Sequence, residues 1–280
     1  MHWQTTRFRI DLSRPRVMGI VNVTPDSFSD GGRHAQTAAA LAHAERLVAE
    51  GADMLDIGGE STRPGAVGPG SDEELARVLP VLRGALLMGV PVSVDTSDAT
   101  VMRQALDLGV DAINDVRALR HAGARAAVAA HGRAGVCLMH MRGEPADMAW
   151  HAQYADVVAD VSVELAGHLA AAREAGIADE RIVLDPGYGF AKSAEHNLQL
   201  LCRQAELLRL GRPLLVGWSR KGTLGQITGR PVGERLAASV AAALAAVARG
   251  ARIVRVHDVA ATVDALKVWC AAERGCVDPA

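Results

Sequence analysis

The 280-residue sequence has few aromatic side chains and almost no net charge. Aromatic residues make up 3% of the chain, and the formal net charge is −2 at pH 7. Proteins that bind nucleic acid or anionic membrane surfaces usually carry a strong basic excess, and single-stranded nucleic acid is held on aromatic side chains. The composition therefore predicts neither nucleic acid nor a membrane as a partner.

Cysteine and long apolar segments are also scarce. The four cysteines, Cys137, Cys202, Cys270 and Cys276, form no CxxC pair, so neither a disulfide framework nor a structural zinc site is predicted. No uninterrupted apolar segment approaches the ~20 residues of a membrane span, and the first residues lack the pattern of a signal peptide. We expect a cytoplasmic protein.

The sequence does contain eight short apolar runs rich in Val, Ile and Leu, each followed by a helical stretch. The runs are 17–23, 53–57, 90–94, 112–113, 135–139, 181–184, 213–216 and 252–256. This alternation predicts a parallel sheet, and the length suits one (β/α)8 barrel. We therefore predict an α/β fold, a single-domain TIM barrel over 17–280, preceded by an extension over 1–16 that forms a short strand or hairpin. An open doubly wound sheet is the alternative, although it would concentrate its chemistry at one crevice.

The predicted helices cover 37–50, 71–88, 98–108, 120–130, 154–175, 194–210, 233–249 and 261–274. The helix over 233–249 is apolar nearly all round, whereas an outer helix of a barrel needs an apolar stripe only on its inner side. Its outer face is therefore predicted to meet a second copy of the chain in a two-fold homodimer.

Polar residues follow the apolar runs, and in (β/α)8 enzymes the catalytic groups lie where strands pass into the loops of the C-terminal face. Asp95, Asn114 and Asp185 end three of the runs. Buried without partners, each would cost several kcal/mol, so we expect them to face a polar ligand or a cation. A flat heterocycle with N–H donors along one edge would satisfy them. The alternative is pairing with Lys221 or Arg255, and the two roles can coexist.

Cationic or potentially cationic residues follow other runs: Arg63 in the second loop, Lys221 after the seventh run, and Arg255 and His257 at the eighth. The loops after strands seven and eight are the usual phosphate site of this fold. The loops over 24–33 and 58–70 are rich in Gly and Pro, which suits mobile segments that meet an anion. These features predict an anion site. The alternatives are core pairing for Arg255, helix capping for His257, and ordinary surface turns for the two loops.

Seven motifs carry a resemblance to a known family. They are MGIVNVTPDSFSDGG at 18–32, DIGGESTRPGA at 56–66, SVDT at 93–96, INDV at 113–116, LDPGYGF at 184–190, GWSRKG at 217–222 and RVHDV at 255–259. With these motifs in the family's order, the sequence resembles the dihydropteroate synthases of bacterial folate synthesis over residues 17 to 270.

The resemblance implies a transferase that condenses 6-hydroxymethyl-7,8-dihydropterin diphosphate with 4-aminobenzoate, with Mg2+ as cofactor and sulfonamides as inhibitors. It implies a pterin site formed by Asp95, Asn114, Met139, Asp185, Phe190, Gly217, Lys221 and Arg255. The implied diphosphate site is Asn22, Arg63, Arg255 and His257, with Asn22 on the Mg2+. The implied aminobenzoate site is Thr62, Arg63, Pro64, Phe190, Ser219 and Lys221. The implied catalytic residues are Asp95, Lys221, Arg255 and His257.

The implied reaction needs no nucleophilic side chain. The diphosphate leaves a carbon attached to an electron-rich ring, so the enzyme can act by stabilising the departing anion and the developing cation. An ionised Asp95 would stabilise that cation before the aniline nitrogen attacks. Direct displacement is the alternative mechanism. The alternative functions are a pterin-binding barrel of the methyltransferase type and a catalytically silent paralogue.

Overall fold

A computed structural model describes residues 1–24, 33–62, 65–66 and 68–276. Its strands are β1 His2–Gln4, β2 Arg9–Asp11, β3 Arg16–Asn22, β4 Met54–Gly58, β5 Val92–Asp95, β6 Ala112–Asp115, β7 Gly135–Met139, β8 Ile182–Asp185, β9 Leu214–Val216 and β10 Ala251–Val256. Strands β3 to β10 are parallel and close into an eight-stranded barrel in chain order, in which β10 pairs with β3. The predicted single-domain (β/α)8 barrel is confirmed, and the open sheet is excluded.

The helices form the outer layer of the barrel. They are α1 Arg33–Ala49, α2 Ser71–Ala85, α3 Ala99–Leu108, α4 Ala124–Ala130, α5 Val157–Glu174, α6 Ala194–Cys202, α7 Gly222–Thr228, α8 Leu236–Val247 and α9 Val259–Arg274. None of the helices within the described ranges is long and apolar enough to cross a membrane.

The helices differ from the predicted ranges at three places for local reasons. Helix α4 starts only at Ala124, because Ala118, Leu119 and Gly123 have positive φ angles that interrupt a helix. The predicted helix over 194–210 is divided into α6 and a 3-10 turn over Gln204–Leu210. Helix α7 was not predicted, because it is only seven residues long and contains two glycines.

A hairpin closes the N-terminal end of the barrel. Strands β1 and β2 pair antiparallel, and Trp3, which is 1% exposed, donates its indole N–H to the carbonyl of Arg181 at 2.8 Å. Gly135 leaves room for this ring, since a Cβ at that position would lie 2.9 Å from it. Trp3 belongs to one buried cluster with Ile10 and Leu12 of the N-terminal extension and with inward-facing residues of the barrel strands, namely Met18, Met54, Ala112, Cys137, Val183, Leu215 and Ile253. The barrel interior is therefore filled with side chains at this end.

A surface groove of about 1100 Å3 also lies near the N-terminal ends of the strands, between α1, β3 and α9. Charged side chains of both signs line it, including Glu50, Asp53, Arg252 and Lys267. The polar strand ends that the sequence singles out are at the opposite end of the barrel. The candidate site therefore lies at the other end of the barrel, despite the size of this groove.

Candidate active site

The closed barrel brings the polar strand ends together at its C-terminal face. Asp95 lies opposite Asn114 across β5 and β6, and Met139 lies opposite Asp185 across β7 and β8. Asn114 and Asp185 are buried, at 5% and 6% exposure. Parallel strands place their carboxyl ends on one face, which explains why residues from four different segments share this position.

Arg255 joins two of the buried carboxylates. Its Nε donates to Oδ2 of Asp56 at 2.6 Å and its Nη2 donates to Oδ2 of Asp95 at 2.9 Å. The side-chain amide of Asn114 donates to the same Oδ2 of Asp56 at 2.9 Å. Of the residues for which pairing with Arg255 was the alternative to ligand binding, Asp95 is therefore paired in this structure, and the two bonds fix the plane of the guanidinium at the barrel mouth.

Asp56 is a residue of this network that the sequence analysis did not select. It lies inside β4, in the run MLDIG, rather than at a strand end, and it is completely buried. Its neighbours Leu55 and Ile57 belong to the apolar core between strands and helices, so the alternation of the strand places Asp56 on the inner side. Its Oδ1 accepts no hydrogen bond from the residues that the structure describes. The sequence signal that could have identified Asp56 is a carboxylate within an otherwise apolar strand.

Charge and burial act in opposite directions in this group. Burial raises the pKa of Asp95 above its ordinary value; Arg255 opposes the rise and Asp56 adds to it. Burial lowers the pKa of Arg255, but Asp56 and Asp95 outweigh it, so that pKa lies above its ordinary value. Arg255 is thus a fixed cation beside two carboxylates. A ligand that supplies hydrogen-bond donors would favour the ionised form of Asp95.

A second group contains Asp185, Lys221 and Phe190. The backbone N–H of Gly187 donates to Oδ1 of Asp185 at 2.7 Å, and Nζ of Lys221 lies 4.1 Å from the centre of the Phe190 ring. Burial raises the pKa of Asp185 to about 6, against the opposing effects of Gly187 and Lys221. Burial lowers the pKa of Lys221 to about 8, against the opposing effect of Asp185. Both groups therefore titrate near neutral pH, as is common at functional sites.

His257 and Ser219 lie together after β10 and β9. The backbone N–H of His257 donates to Oγ of Ser219 at 3.2 Å, and that hydroxyl lies 2.9 Å from Nδ1 of His257. Burial lowers the pKa of His257 to about 3, with help from Arg255 and Arg220. The imidazole is therefore neutral, and in the tautomer whose Nδ1 accepts from the Ser219 hydroxyl, Nε2–H is a donor for an anion.

The described part of the chain contains most of the residues that the resemblance implies. They are Asn22, Thr62, Asp95, Asn114, Met139, Asp185, Phe190, Gly217, Ser219, Lys221, Arg255 and His257. Met139 belongs to a buried apolar cluster against which Phe190 packs, and a Cβ at Gly217 would meet nothing within 4 Å. Asn22 and Thr62 are half-buried. Arg63 and Pro64 lie outside the described residues.

Comparisons with known proteins agree with this geometry. A family model described as pterin binding enzyme matches residues 18–257. A dihydropteroate synthase of Neisseria meningitidis serogroup B is 55% identical over 273 residues, which span 95% of this chain and 96% of the relative. The structure of Xanthomonas albilineans dihydropteroate synthase with 4-aminobenzoic acid has a TM-score of 0.90 at 53% identity and covers 95% of both chains. That of the Burkholderia cenocepacia enzyme complexed with 7,8-dihydropteroate has a TM-score of 0.89 at 49% identity, covering 98% of this chain and 97% of that one. The resemblance seen in the seven motifs is confirmed, and the chain belongs to the dihydropteroate synthase family of pterin-binding enzymes.

Proposed function

We propose that this transferase of folate biosynthesis condenses 6-hydroxymethyl-7,8-dihydropterin diphosphate with 4-aminobenzoate, releasing pyrophosphate and 7,8-dihydropteroate. The observation that carries the proposal is the convergence of Asp95, Asn114 and Asp185 with Lys221 and Arg255 at one end of the barrel. Carboxylates and an amide can bind the N–H edge of a pterin, and the Arg255 guanidinium offers a flat cationic surface on which the ring can stack.

The remaining residues suit the other two parts of the substrates. Arg255, the Nε2–H of His257, and Arg63 would hold the diphosphate as it leaves. Thr62, Arg63, Pro64, Phe190, Ser219 and Lys221 would surround the aminobenzoate. Met139 and Gly217 would form walls of the pterin site.

In the proposed reaction, the bond between the pterin methylene carbon and the diphosphate oxygen breaks first, and pyrophosphate leaves with the electron pair. An ionised Asp95 stabilises the cation that develops on the pterin, since a fixed charge in a site shielded from water is most effective there. The aniline nitrogen then forms the new C–N bond, and its proton passes to solvent.

The experiment that tests the proposal is a pyrophosphate-release assay on purified protein with both substrates. Release of one pyrophosphate for each dihydropteroate formed supports it. A pterin-binding barrel of the methyltransferase type would bind the pterin without consuming 4-aminobenzoate. A catalytically silent paralogue would release nothing, so either result would contradict the proposal.

The dependence of kcat/KM on pH should be bell-shaped. The pKa of Asp185 is raised to about 6 and that of Asp95 is raised as well, and both carboxyl groups must be ionised to act on the pterin, so activity should fall towards acid pH. The pKa of Lys221 is lowered to about 8, and loss of its charge should lower activity above pH 8. A guanidinium stays charged throughout this range, so Lys221→Arg should remove the alkaline limb whatever its maximal rate. An unchanged limb in that variant would contradict the assignment.

We propose Mg2+ as the cofactor, with Asn22 as its protein ligand. Asn22 ends β3 and is half-buried, and its amide oxygen is a hard donor of the kind that Mg2+ prefers. The described residues contain no group of three or more His, Cys, Asp or Glu side chains that could hold a metal ion. An ion at Asn22 would therefore take most of its ligands from the substrate diphosphate and water, as Mg2+ does at many phosphate sites. When bound, it would neutralise part of the leaving group's charge.

Asn22→Ala should weaken binding of a pterin diphosphate in the presence of Mg2+ by about tenfold or more, because even residues that only support a metal ligand contribute about 10–100-fold to metal affinity. Binding of a pterin that lacks the diphosphate should change little. Calorimetric titration of both ligands measures the contrast, and Asn22→Asp, which keeps an oxygen donor, is the matched control. Equal losses for the two ligands would show that Asn22 has a structural role.

We also propose a homodimer that uses the outer face of α8. Leu236 is 46% exposed, and the exposed Ala237 and Ala241, four residues apart, share one side of the helix. On α7 and the turn before α8, Ile227 and Val232 are 56% and 59% exposed. These exposed apolar side chains include small residues, which would let two helices approach closely.

Ala241→Glu should convert the dimer into a monomer at micromolar concentration, because it would bury a charge in an apolar interface. Sedimentation velocity measures the change, and Glu273→Ala on α9 is a control that alters an exposed charge outside this surface. A wild-type monomer at the same concentration would contradict the proposal.

We also propose a cytoplasmic location for the protein and sulfonamides as its inhibitors. A cytoplasmic location is supported by the four cysteines, all of which are free thiols as expected in a reducing compartment. Sulfonamides share the aniline and acidic groups of 4-aminobenzoate, so they should compete with it for the surface beside Phe190 and Lys221.

A further inference from the structure

Lys192 holds the loop between β8 and α6 in place. Its Nζ lies 2.9 Å from Nδ1 of His140 and donates to the carbonyls of Gly187 and Phe190, each at 3.0 Å. Burial lowers the pKa of Lys192 to about 7, and in the ammonium form its three N–H donors are shared among these acceptors and the more distant carbonyl of His140, at 3.5 Å. Two of the acceptors belong to the loop, so one side chain fixes two of its peptide groups.

The third acceptor connects the loop to the barrel wall. His140 follows β7 and is completely buried, and its Nε2 lies 3.0 Å from Oε2 of Glu164 on α5. Burial lowers the pKa of His140 to about 3, assisted by Lys192. The imidazole is therefore neutral, with Nε2–H donating to Glu164 and Nδ1 accepting from Lys192. Arg142 holds the other oxygen of Glu164 at 2.8 Å, so the chain of contacts ends on a fixed ion pair.

The loop needs such an anchor because its backbone is unusual. Gly187, Gly189 and Ala191 all have positive φ angles, of 71°, 78° and 47°. Glycine adopts this conformation readily, whereas alanine does so only at an energetic cost. A Cβ at Gly187 would lie 1.9 Å from the carbonyl oxygen of His140. The loop is thus pressed against the end of β7 in a conformation that neighbouring contacts must maintain.

The same loop presents Phe190 to the candidate active site. The Phe190 carbonyl is bound by Lys192, while its ring lies 4.1 Å from Nζ of Lys221. A Cβ at Gly189 would lie 2.9 Å from Cδ of Lys221, so the backbone itself approaches that side chain. Displacement of the loop would therefore move both the ring and the surface that supports Lys221.

We propose that Lys192 is a positioning residue for the condensation: it fixes the 187–191 loop so that Phe190 and Lys221 form the surface on which 4-aminobenzoate binds. The inference rests on the proposed function of the same site. Lys192 acts through Phe190, whose ring lies against Lys221, rather than on the reacting atoms. Its removal should therefore affect binding of the second substrate more than the chemical step.

The first test is steady-state kinetics of Lys192→Met, which keeps an unbranched side chain that is one atom shorter and removes the N–H donors. We expect KM for 4-aminobenzoate to rise about tenfold while kcat changes by less than about threefold, since uniform binding is lost rather than transition-state stabilisation. Lys192→Gln keeps two N–H donors and should give an intermediate KM. It also supplies the measurement if the methionine variant does not fold.

The decisive test is a double-mutant cycle with Phe190→Ala. If Lys192 acts through Phe190, Lys192→Met should raise KM by less than about twofold in the Phe190→Ala background, because the side chain that it positions is already absent. A purely structural role would give the same fold-change in both backgrounds, and that result would overturn the inference. Arg181→Met is the matched control. Arg181 is a buried cation that donates to the carbonyls of Ala134 and Val128 at the opposite end of the barrel, so its loss should lower stability without changing KM.

The outcome separates this inference from the proposed function. Absence of turnover by the wild-type protein would contradict the function, whereas turnover by the wild type with an unchanged KM in Lys192→Met would contradict only the role of Lys192. The same cycle measured as dissociation constants for 4-aminobenzoate gives the answer without turnover.

Discussion

Arg255→Met should lower kcat/KM by about three orders of magnitude, which corresponds to about 4 kcal/mol of lost transition-state stabilisation. Arg255 places a cation beside Asp95, with 2.9 Å between Nη2 and Oδ2, and it is a candidate diphosphate ligand on β10. Methionine preserves an unbranched apolar side chain, so the variant removes charge and hydrogen bonds without opening a large cavity.

The same substitution should reduce the free energy of unfolding at neutral pH by about 3–5 kcal/mol, because removing one member of a buried ion pair leaves the other uncompensated. Asp56 is completely buried and, among the described residues, would keep only its bond from Asn114. Asp56→Asn in the Arg255→Met background removes that buried charge and should restore part of the lost stability. A double variant as unstable as the sum of the two single variants would contradict the pairing.

The loss of stability should depend on pH in a defined direction. Burial already raises the folded-state pKa of Asp95 above its ordinary value of 3.8, and loss of Arg255 would raise it further. A carboxyl group with a raised folded-state pKa makes the folded state bind more protons than the unfolded state, so stability falls as pH rises through that range. Urea denaturation of Arg255→Met should therefore show less loss at pH 5 than at pH 8. Equal losses at both pH values would show that Asp95 does not carry the effect.

The barrel and the main site residues could be predicted because both depend on local patterns. Apolar runs separated by helical stretches specify the strands, and closure of parallel strands places their carboxyl ends on one face. Asp95, Asn114 and Asp185 therefore fell into one site without any knowledge of side-chain contacts. The family motifs supplied the roles of loop residues such as Ser219.

The residues that the sequence did not reveal depend on contacts between distant segments. Asp56 and Arg255 are 199 residues apart, and the bond between them follows from the pairing of β10 with β3 and of β3 with β4. Lys192 follows a motif that was recognised, but its partner His140 lies 52 residues earlier. His140 directly follows β7, a position that fits either a site-lining or a structural residue, and only the packed structure places it beneath the β8–α6 loop.

The second large effect is expected at the other end of the barrel, where Trp3→Ala should reduce the free energy of unfolding by about 3–5 kcal/mol. Trp3 is 1% exposed and its indole N–H bonds to the Arg181 carbonyl at 2.8 Å. Alanine would leave a cavity against the inward-facing side chains and an unsatisfied carbonyl. A Cβ at Gly135 would lie 2.9 Å from the Trp3 ring, so the start of β7 runs directly against that ring. Collapse of the cavity would therefore require the start of β7 to move.

The effect of Trp3→Ala should be confined to stability, because residues at the N-terminal face of this fold support the barrel whereas those at the C-terminal face carry the chemistry. We expect kcat/KM per folded molecule to remain within about twofold of wild type at a temperature well below the unfolding transition. Trp150→Ala is the matched control: that ring is 80% exposed, and its loss should change the free energy of unfolding by no more than about 0.5 kcal/mol. Urea denaturation of the three proteins measures the difference. Similar losses in the free energy of unfolding from Trp3→Ala and Trp150→Ala would mean that the hairpin does not contribute the interior packing that its burial indicates. A large fall in kcat/KM for Trp3→Ala would mean that the two ends of the barrel are coupled.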